Sequence, residues 1–233
     1  RRIAARAAAG FMAESLGEAV GATVGYRIRF ESKVSAATRI EVVTEGILTR
    51  QLQRDPALEG VGLVIFDEFH ERSLQADLGL ALTLDVRRQL RPELRLLLMS
   101  ATLDGAALCH LLDDAPLISA PGLSFPVETR YADRDSTDYL DRRVAAAIQR
   151  ALREDAGDLL VFLPGAGEIR RVESLLGGKI AAQLHPLYGD LPREAQEHAI
   201  QPAPAGQRKV VLATNIAETS LTIEGIRVVI DAG

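Results

Sequence analysis

Short apolar runs recur along the chain and predict the strands of a sheet. Each is four to six residues long and is rich in β-branched residues or leucine. Strands that are apolar on both faces are typical of a parallel sheet covered by helices on each side. The predicted strands occupy residues 39–44, 61–66, 94–99, 159–163, 209–213 and 227–230.

Helical patterns separate several of these strands. One apolar residue in every four predicts a helix whose buried face carries Leu74, Leu78, Leu82, Val86 and Leu90. Residues 141–153, rich in alanine and arginine, and residues 168–176, which follow a Pro-Gly turn, predict two more helices. Strands that alternate with helices indicate βαβ units and therefore an α/β fold with mainly parallel sheets.

A proline-rich segment near the middle of the chain predicts a domain boundary. Pro116, Pro121, Gly122 and Pro126 lie in a stretch that is mostly uncharged and has no periodicity. We therefore expect one domain over residues 1–121 and a second over residues 122–233.

Composition excludes several classes of protein. With 47% hydrophobic and 25% charged residues, the chain is not disordered, and it has no apolar run of about 20 residues that could span a membrane. A single cysteine cannot form an internal disulfide, so we expect a cytoplasmic protein. The net charge of -5 excludes binding of nucleic acid through an overall positive field, so any such contact must come from local donors.

The segment Val64–Glu71 carries the strongest chemical signal. A predicted strand ends in Asp67 and Glu68, and His70 follows. Ligands of parallel sheets bind at the carboxyl ends of strands. Phosphoryl transfer needs a carboxylate near Mg²⁺ and a group that orients the attacking water. Two adjacent acids alone are more typical of a solvated loop, but the preceding strand and His70 favour the catalytic interpretation.

Other chemistries fail on residue spacing. A zinc peptidase would need a histidine four residues after His70, where Leu74 stands. A Gly-x-Ser-x-Gly serine hydrolase motif lacks its final glycine at Pro126. One cysteine and scattered histidines exclude structural zinc. The only Gly-Lys pair, Gly178-Lys179, lacks the glycine and hydroxyl of a phosphate-binding loop.

Three further segments place small polar residues at the ends of predicted strands. Each alone is more typical of helix capping, although hydroxyls, amides and backbone N–H groups also bind backbone phosphates. The segments are Thr44-Glu45-Gly46, Ser100-Ala101-Thr102 and residues 214–220.

In their order along the chain, these segments resemble superfamily 2 helicases of the DEAH/DExH class, and most of all the bacterial HrpB-type ATP-dependent helicases. Asp67-Glu68-Phe69-His70 resembles motif II, although Phe69 replaces the commoner alanine. Five other segments also resemble family motifs: residues 1–5 resemble motif Ia, 44–46 motif Ib, 100–102 motif III, 160–169 motif IV and 213–223 motif V. Residues 185–192 are also typical of the family.

The resemblance implies two RecA-like domains of the P-loop NTPase type, with ATP and Mg²⁺ in the cleft between them and single-stranded nucleic acid, RNA rather than DNA, crossing both. Asp67 would hold Mg²⁺ through water, and Glu68 would polarise the attacking water. His70, Ser100 and Thr102 would link ATP hydrolysis to the domain interface. Thr219 and Ser220 would face the nucleotide. The implied nucleic-acid-binding residues are Arg2, Thr44, Glu45, Gly46, Thr214 and Asn215.

The family's phosphate loop would precede Arg1, and its arginine-finger motif would follow Gly233. We therefore expect both domains to be incomplete in this chain, and the 233-residue piece to hydrolyse ATP poorly by itself. Arginine fingers contribute about 10³–10⁵ in rate in related enzymes. Two alternatives remain open: a nucleic-acid-binding module that has lost its ATPase activity, and a different ATP-hydrolysing motor such as a DNA translocase.

Overall fold

The computed structural model describes residues 2–101, 105–120, 122, 125–132, 138–218 and 222–233. Contacts divide the chain into two compact units, Arg2–Arg130 and Tyr131–Gly233. The predicted boundary after residue 121 falls at a position outside the described residues, and it stays a prediction.

The first unit contains two small sheets with helices. In chain order its elements are α1 (Arg2–Ser15), β1 (Val24–Ile28), β2 (Glu31–Lys33), β3 (Ile40–Val43), α2 (Glu45–Arg54), β4 (Leu63–Phe66), α3 (Leu74–Gln89), β5 (Arg95–Leu98) and α4 (Gly105–Leu111). Strand β1 pairs antiparallel with β2 and parallel with β3, and β4 pairs parallel with β5. One apolar core joins α2, β4 and α3, and another lies between α1 and β1.

The second unit is built on one parallel sheet of order β7-β8-β6-β9. Every residue of β8 is buried, and α5 and α6 pack on the sheet to form one apolar core. The elements are α5 (Leu140–Glu154), β6 (Asp158–Phe162), α6 (Ala166–Leu176), β7 (Gln183–Leu187), α7 (Arg193–Ile200), β8 (Lys209–Ala213) and β9 (Ile226–Asp231). Parallel pairing in both units confirms the predicted α/β class.

The predicted buried face of α3 is only partly right: Val86 is buried and Leu82 packs against the core, but the other three predicted positions are exposed. Leu74 is 80% exposed, Leu78 is 43% exposed, and Leu90 lies beyond the end of the helix and is 54% exposed. An α-helix has 3.6 residues per turn, so positions four apart drift by about 40° at each step and cannot all stay on one face. The face that packs on the core carries Ala76, Gly79, Leu80, Thr83, Leu84 and Val86.

All six predicted strands form, and the structure adds three more. Every residue of strand β1 is buried except Arg27, which is half-buried. Strand β2 has no apolar residue, and β7 contains Pro186. Within the described part of the chain, no helix is long and apolar enough to cross a membrane.

Candidate functional site

Asp67 and Glu68 lie where β4 ends, in a loop that β5 holds in place. The N–H of Met99 donates to the Phe66 carbonyl at 2.8 Å, and the N–H of Phe69 donates to the Met99 carbonyl at 3.0 Å. Glu68 has φ 51° and ψ 38°, a left-handed conformation that is uncommon outside glycine and is enriched at functional sites. Its N–H donates to Asp67 Oδ1 at 2.9 Å. The loop therefore presents two adjacent carboxylates in a fixed backbone conformation.

Phe69 anchors this loop in the core. The side chain is 4% exposed, and its ring packs edge-on against Phe66 with centroids 6.3 Å apart. The Arg72 guanidinium lies 5.9 Å from the Phe69 ring. Phe69 thus occupies an apolar site that an alanine would not fill, while the side chains on either side of it, Glu68 and His70, are only half-buried.

His70 joins the ends of β4 and β5. The backbone N–H of Ala101 donates to His70 Nδ1 at 3.3 Å. Ser100, between Met99 and Ala101, is half-buried. The structure therefore brings the predicted Asp67, Glu68 and His70 together beside Ser100, whereas Thr102 lies outside the described residues.

The predicted motif Ib residues lie where β3 leads into α2. Thr44 is the N-cap residue of α2, although within the described part of the chain its hydroxyl makes no capping hydrogen bond. Gly46 is exposed, and Glu45 Oε1 accepts a 2.8 Å hydrogen bond from the Ser73 hydroxyl at the start of α3. Arg2 is exposed at the first residue of α1. These placements leave the nucleic-acid roles as predictions.

An exposed aromatic residue that sequence reasoning missed lies at the turn between β1 and β2. Phe30 is 90% exposed and has φ 70°. The Arg29 guanidinium lies 4.7 Å from the centre of its ring. The signal in the sequence was an Arg-Phe pair between a strand of alternating apolar residues and a polar segment. An aromatic ring beside a guanidinium is a surface on which a nucleobase can stack.

In the second unit, Thr214 and Asn215 follow the carboxyl end of β8. The Thr214 N–H donates to the Leu187 carbonyl of β7 at 3.2 Å, and a 3₁₀ turn, Asn215–Ala217, leaves Asn215 exposed. The segment that follows β7 lies at the same edge, and the buried Gln196 amide donates to its Tyr188, Gly189 and Leu191 carbonyls at 3.0–3.3 Å. Thr219 and Ser220 lie outside the described residues.

Burial lowers the pKa values of two basic side chains in this unit, Lys209 and His185. The pKa of Lys209 is lowered by burial, against the opposing effects of Asp158 and Glu224. Its ammonium donates to the carbonyls of Ala199, Ile200 and Gln201 at the end of α7. The pKa of His185 is also lowered, first by burial and then by Lys209 and His198. Lys209 therefore joins β8 to the carboxyl end of α7.

The donor set at Asp67 and Glu68 fits Mg²⁺. This ion is usually held by one or two carboxylates, several waters and substrate phosphates. Among the residues that the structure describes, no group of three or more His, Cys, Asp or Glu side chains is placed to hold a metal. Two exposed or half-buried carboxylates without a full protein cage suit an ion that arrives with a phosphate substrate.

Comparison with known proteins shows which helicases the chain is similar to. A model of the helicase conserved C-terminal domain matches residues 142–233. The chain is 58% identical over 99% of its length to the ATP-dependent RNA helicase HrpB of Escherichia coli. This similarity, which runs over nearly the whole chain, confirms the predicted resemblance to the HrpB-type DEAH/DExH helicases. The match covers the strand ends at Asp67, Ser100 and Thr214, where the sequence predicted the family motifs.

Solved structures of the HrpB relative show the same fold. A crystal structure of the Escherichia coli DEAH/RHA helicase HrpB has a TM-score of 0.90, with 99% of this chain and 30% of that chain covered. A second, described as the DExH-box NTPase HrpB, has a TM-score of 0.78 at the same 58% identity and covers 99% of this chain and 29% of that one. These matches confirm the RecA-like fold class. The chain spans about 29% of the length of its curated relative.

Proposed function

We propose that this chain is part of an ATP-dependent RNA helicase, which hydrolyses ATP to move along RNA and separate its strands. The observation that carries the proposal is the arrangement of Asp67, Glu68 and His70 at the end of β4, tied to Ala101 after β5. Adjacent carboxylates at a strand end suit phosphoryl transfer, and the hydrogen bond to His70 gives them a connection to a second segment.

In the proposed ATP site, Asp67 holds Mg²⁺ through water, and Glu68 orients and polarises the attacking water. Mg²⁺, when bound, neutralises charge on the phosphates. His70 and Ser100 link these carboxylates to the segment after β5, and Thr102 supports the same link. Thr219 and Ser220 complete the set of residues proposed to bind the nucleotide.

In the proposed RNA site, local donors replace an overall positive charge, because the chain carries a net charge of -5. Backbone N–H groups at the start of a helix bind phosphates, so the start of α2 at Thr44 and Gly46 suits an RNA backbone. Phe30 provides a stacking surface for a base. The other proposed contacts are Arg2, Glu45, Thr214 and Asn215.

RNA is favoured over DNA because the relative in Escherichia coli carries the name of an RNA helicase. We also propose that the protein acts in the cytoplasm, since its single cysteine does not suggest an oxidising compartment. RNA and DNA backbones differ at the 2′-hydroxyl, which a protein can read by hydrogen bonding.

The test is duplex unwinding by the full-length protein on matched RNA and DNA substrates with identical single-stranded overhangs. We expect ATP-dependent separation of the RNA duplex, and none with a non-hydrolysable ATP analogue. RNA binding without ATP-dependent separation would support a nucleic-acid-binding module. Movement on DNA alone would support a DNA translocase, and either result would overturn the proposal.

A further inference from the structure

The Ser73 hydroxyl lies between two elements that carry different parts of the proposed function. It accepts a 3.0 Å hydrogen bond from the N–H of Ala76, which caps the start of α3. It also donates a 2.8 Å hydrogen bond to Glu45 Oε1 at the start of α2. A serine hydroxyl has a single proton, so this donor is committed to Glu45.

On the α3 side, Ser73 follows closely the loop that carries the proposed catalytic carboxylates. Only Glu71 and Arg72 separate it from His70, and the intervening backbone is constrained. Phe69–Glu71 form a 3₁₀ turn, and Arg72 has φ 48°. A displacement of Ser73 should therefore also displace His70 and Glu68, because the short backbone segment between them has little conformational freedom.

On the α2 side, Glu45 lies between Thr44 and Gly46, where the proposed RNA backbone binds. A carboxylate beside a phosphate is repulsive unless the carboxylate is turned elsewhere. The hydrogen bond from Ser73 holds Glu45 toward α3. The two helices also share a core in which Leu48 and Leu52 pack with Leu80 and Leu84.

We propose that Ser73 is a positioning residue that couples RNA binding at the start of α2 to ATP hydrolysis at Glu68, through its hydrogen bond to Glu45. The inference rests on the proposed helicase function, and it identifies a contact by which RNA binding would affect ATP hydrolysis. RNA bound to the backbone N–H groups at the start of α2 would fix that helix end and Glu45 with it. Glu45 would then fix Ser73, and Ser73 would hold the Asp67–His70 loop in the conformation that hydrolyses ATP.

Three substitutions separate coupling from helix capping. Ser73→Thr keeps both the capping oxygen and the donor. Ser73→Asp keeps a strong N-cap but replaces the donor with a second carboxylate facing Glu45. Ser73→Ala removes both. A fourth variant, Glu45→Gln with Ser73→Asp, restores the hydrogen bond with reversed direction, because the glutamine amide can donate to the new aspartate.

The experiment measures ATP hydrolysis by the full-length protein, without RNA and across a titration of single-stranded RNA, together with melting temperature. We expect Ser73→Asp and Ser73→Ala to lower the maximal RNA stimulation by about tenfold, as expected for loss of a hydrogen bond to a charged group. Hydrolysis without RNA should stay within about twofold of wild type, since Ser73 contacts no reactant. Ser73→Thr and the double variant should recover stimulation.

Full RNA stimulation of ATP hydrolysis in Ser73→Asp would overturn the inference. A defect seen only in Ser73→Ala, together with a lowered melting temperature, would also overturn it, because the effect would then come from helix capping alone. Failure of the double variant to recover stimulation would also count against the hydrogen bond. A wild-type protein whose ATP hydrolysis does not respond to RNA would overturn this inference and the proposed function together. Stimulation in wild type with no effect of Ser73→Asp would overturn this inference only.

Discussion

The backbone N–H of Ala101 donates a 3.3 Å hydrogen bond to Nδ1 of His70, across the ends of two neighbouring strands. A backbone N–H can only donate, so Nδ1 accepts and the ring proton of neutral His70 lies on Nε2. Nδ1 also lies 3.4 Å from Glu68 Oε2, a contact that becomes attractive only when His70 is protonated. His70 Nδ1 therefore lies within reach of both the backbone of the segment after β5 and the proposed catalytic carboxylate.

Replacing His70 should separate ATP hydrolysis from strand separation. In His70→Asn, the amide oxygen can occupy about the position of Nδ1 and accept from Ala101, whereas His70→Ala leaves that N–H without this acceptor. We expect His70→Ala to lower the number of duplexes unwound per ATP hydrolysed by about tenfold, and His70→Asn to keep most of it. Parallel unwinding and phosphate-release assays on the full-length protein give this ratio. Equal defects in the two variants would show that the Ala101 hydrogen bond is not what His70 contributes.

Phe30→Ala should weaken binding of single-stranded RNA. Loss of one base-stacking surface costs about 1–3 kcal/mol, so we expect Kd to rise by about fivefold or more at constant salt. Phe11→Ala is the matched control, because Phe11 is 72% exposed but belongs to α1 and not to the turn at Phe30. Phe30→Trp should retain binding. An unchanged Kd in Phe30→Ala would remove this residue from the RNA site.

The apolar strands were readable from the sequence because both faces of a covered parallel strand are apolar. Strand β8 shows this, since all its residues are buried. The face of α3 was not readable from a strict four-residue repeat, because Leu74 and Leu78 are exposed while Leu80 and Leu84 pack on the core. Strand β7 was missed because Pro186 is normally excluded from a strand interior.

The positions of Asp67, Glu68 and His70 could be predicted because they follow a strong apolar strand directly. The contacts between distant segments could not. The hydrogen bonds of Ala101 with His70 and of Ser73 with Glu45 join residues 31 and 28 positions apart. Phe30 is recognisable only once the turn exposes it, since an aromatic residue in sequence is more often buried.

Gly225→Ala should destabilise the second unit more than a glycine substitution elsewhere in that unit. Gly225 has φ +87°, and an added Cβ would lie 2.5 Å from Asp158 Oδ2. Asp158 Oδ1 accepts from the Lys209 N–H at 2.9 Å, so displacement of this carboxylate would weaken the pairing of β6 and β8. Hydrogen exchange of the Lys209 amide in the intact protein measures the effect.

Gly206→Ala is the matched control for Gly225. Gly206 has φ +78°, but no described atom lies within 4 Å of its added Cβ. This variant should lose only the about 1–2 kcal/mol of left-handed backbone strain. Equal protection of the Lys209 amide in both variants would show that the contact with Asp158 is not tight.

Acid should destabilise the second unit through His185. The folded protein lowers the pKa of His185 below 6.5, mainly by burial. As pH falls below that value, the unfolded chain takes up the proton first, so this contribution is present above the unfolded pKa and is lost as pH falls through the folded one. His185→Asn should flatten the fall in urea midpoint between about pH 7.5 and about pH 5.5. His110→Asn, at a side chain that is 88% exposed, should leave the slope unchanged, and a slope unchanged in both variants would contradict the prediction.

The most direct test of the helicase proposal is RNA-stimulated ATP hydrolysis by the full-length protein with Glu68→Gln, against Glu71→Gln as the same change nearby in the loop. The proposal predicts RNA-stimulated hydrolysis in the wild type and in Glu71→Gln. It predicts a loss of at least about 100-fold in Glu68→Gln, because the residue that polarises the attacking water is gone. ATP hydrolysis that persists at the wild-type rate in Glu68→Gln would contradict it.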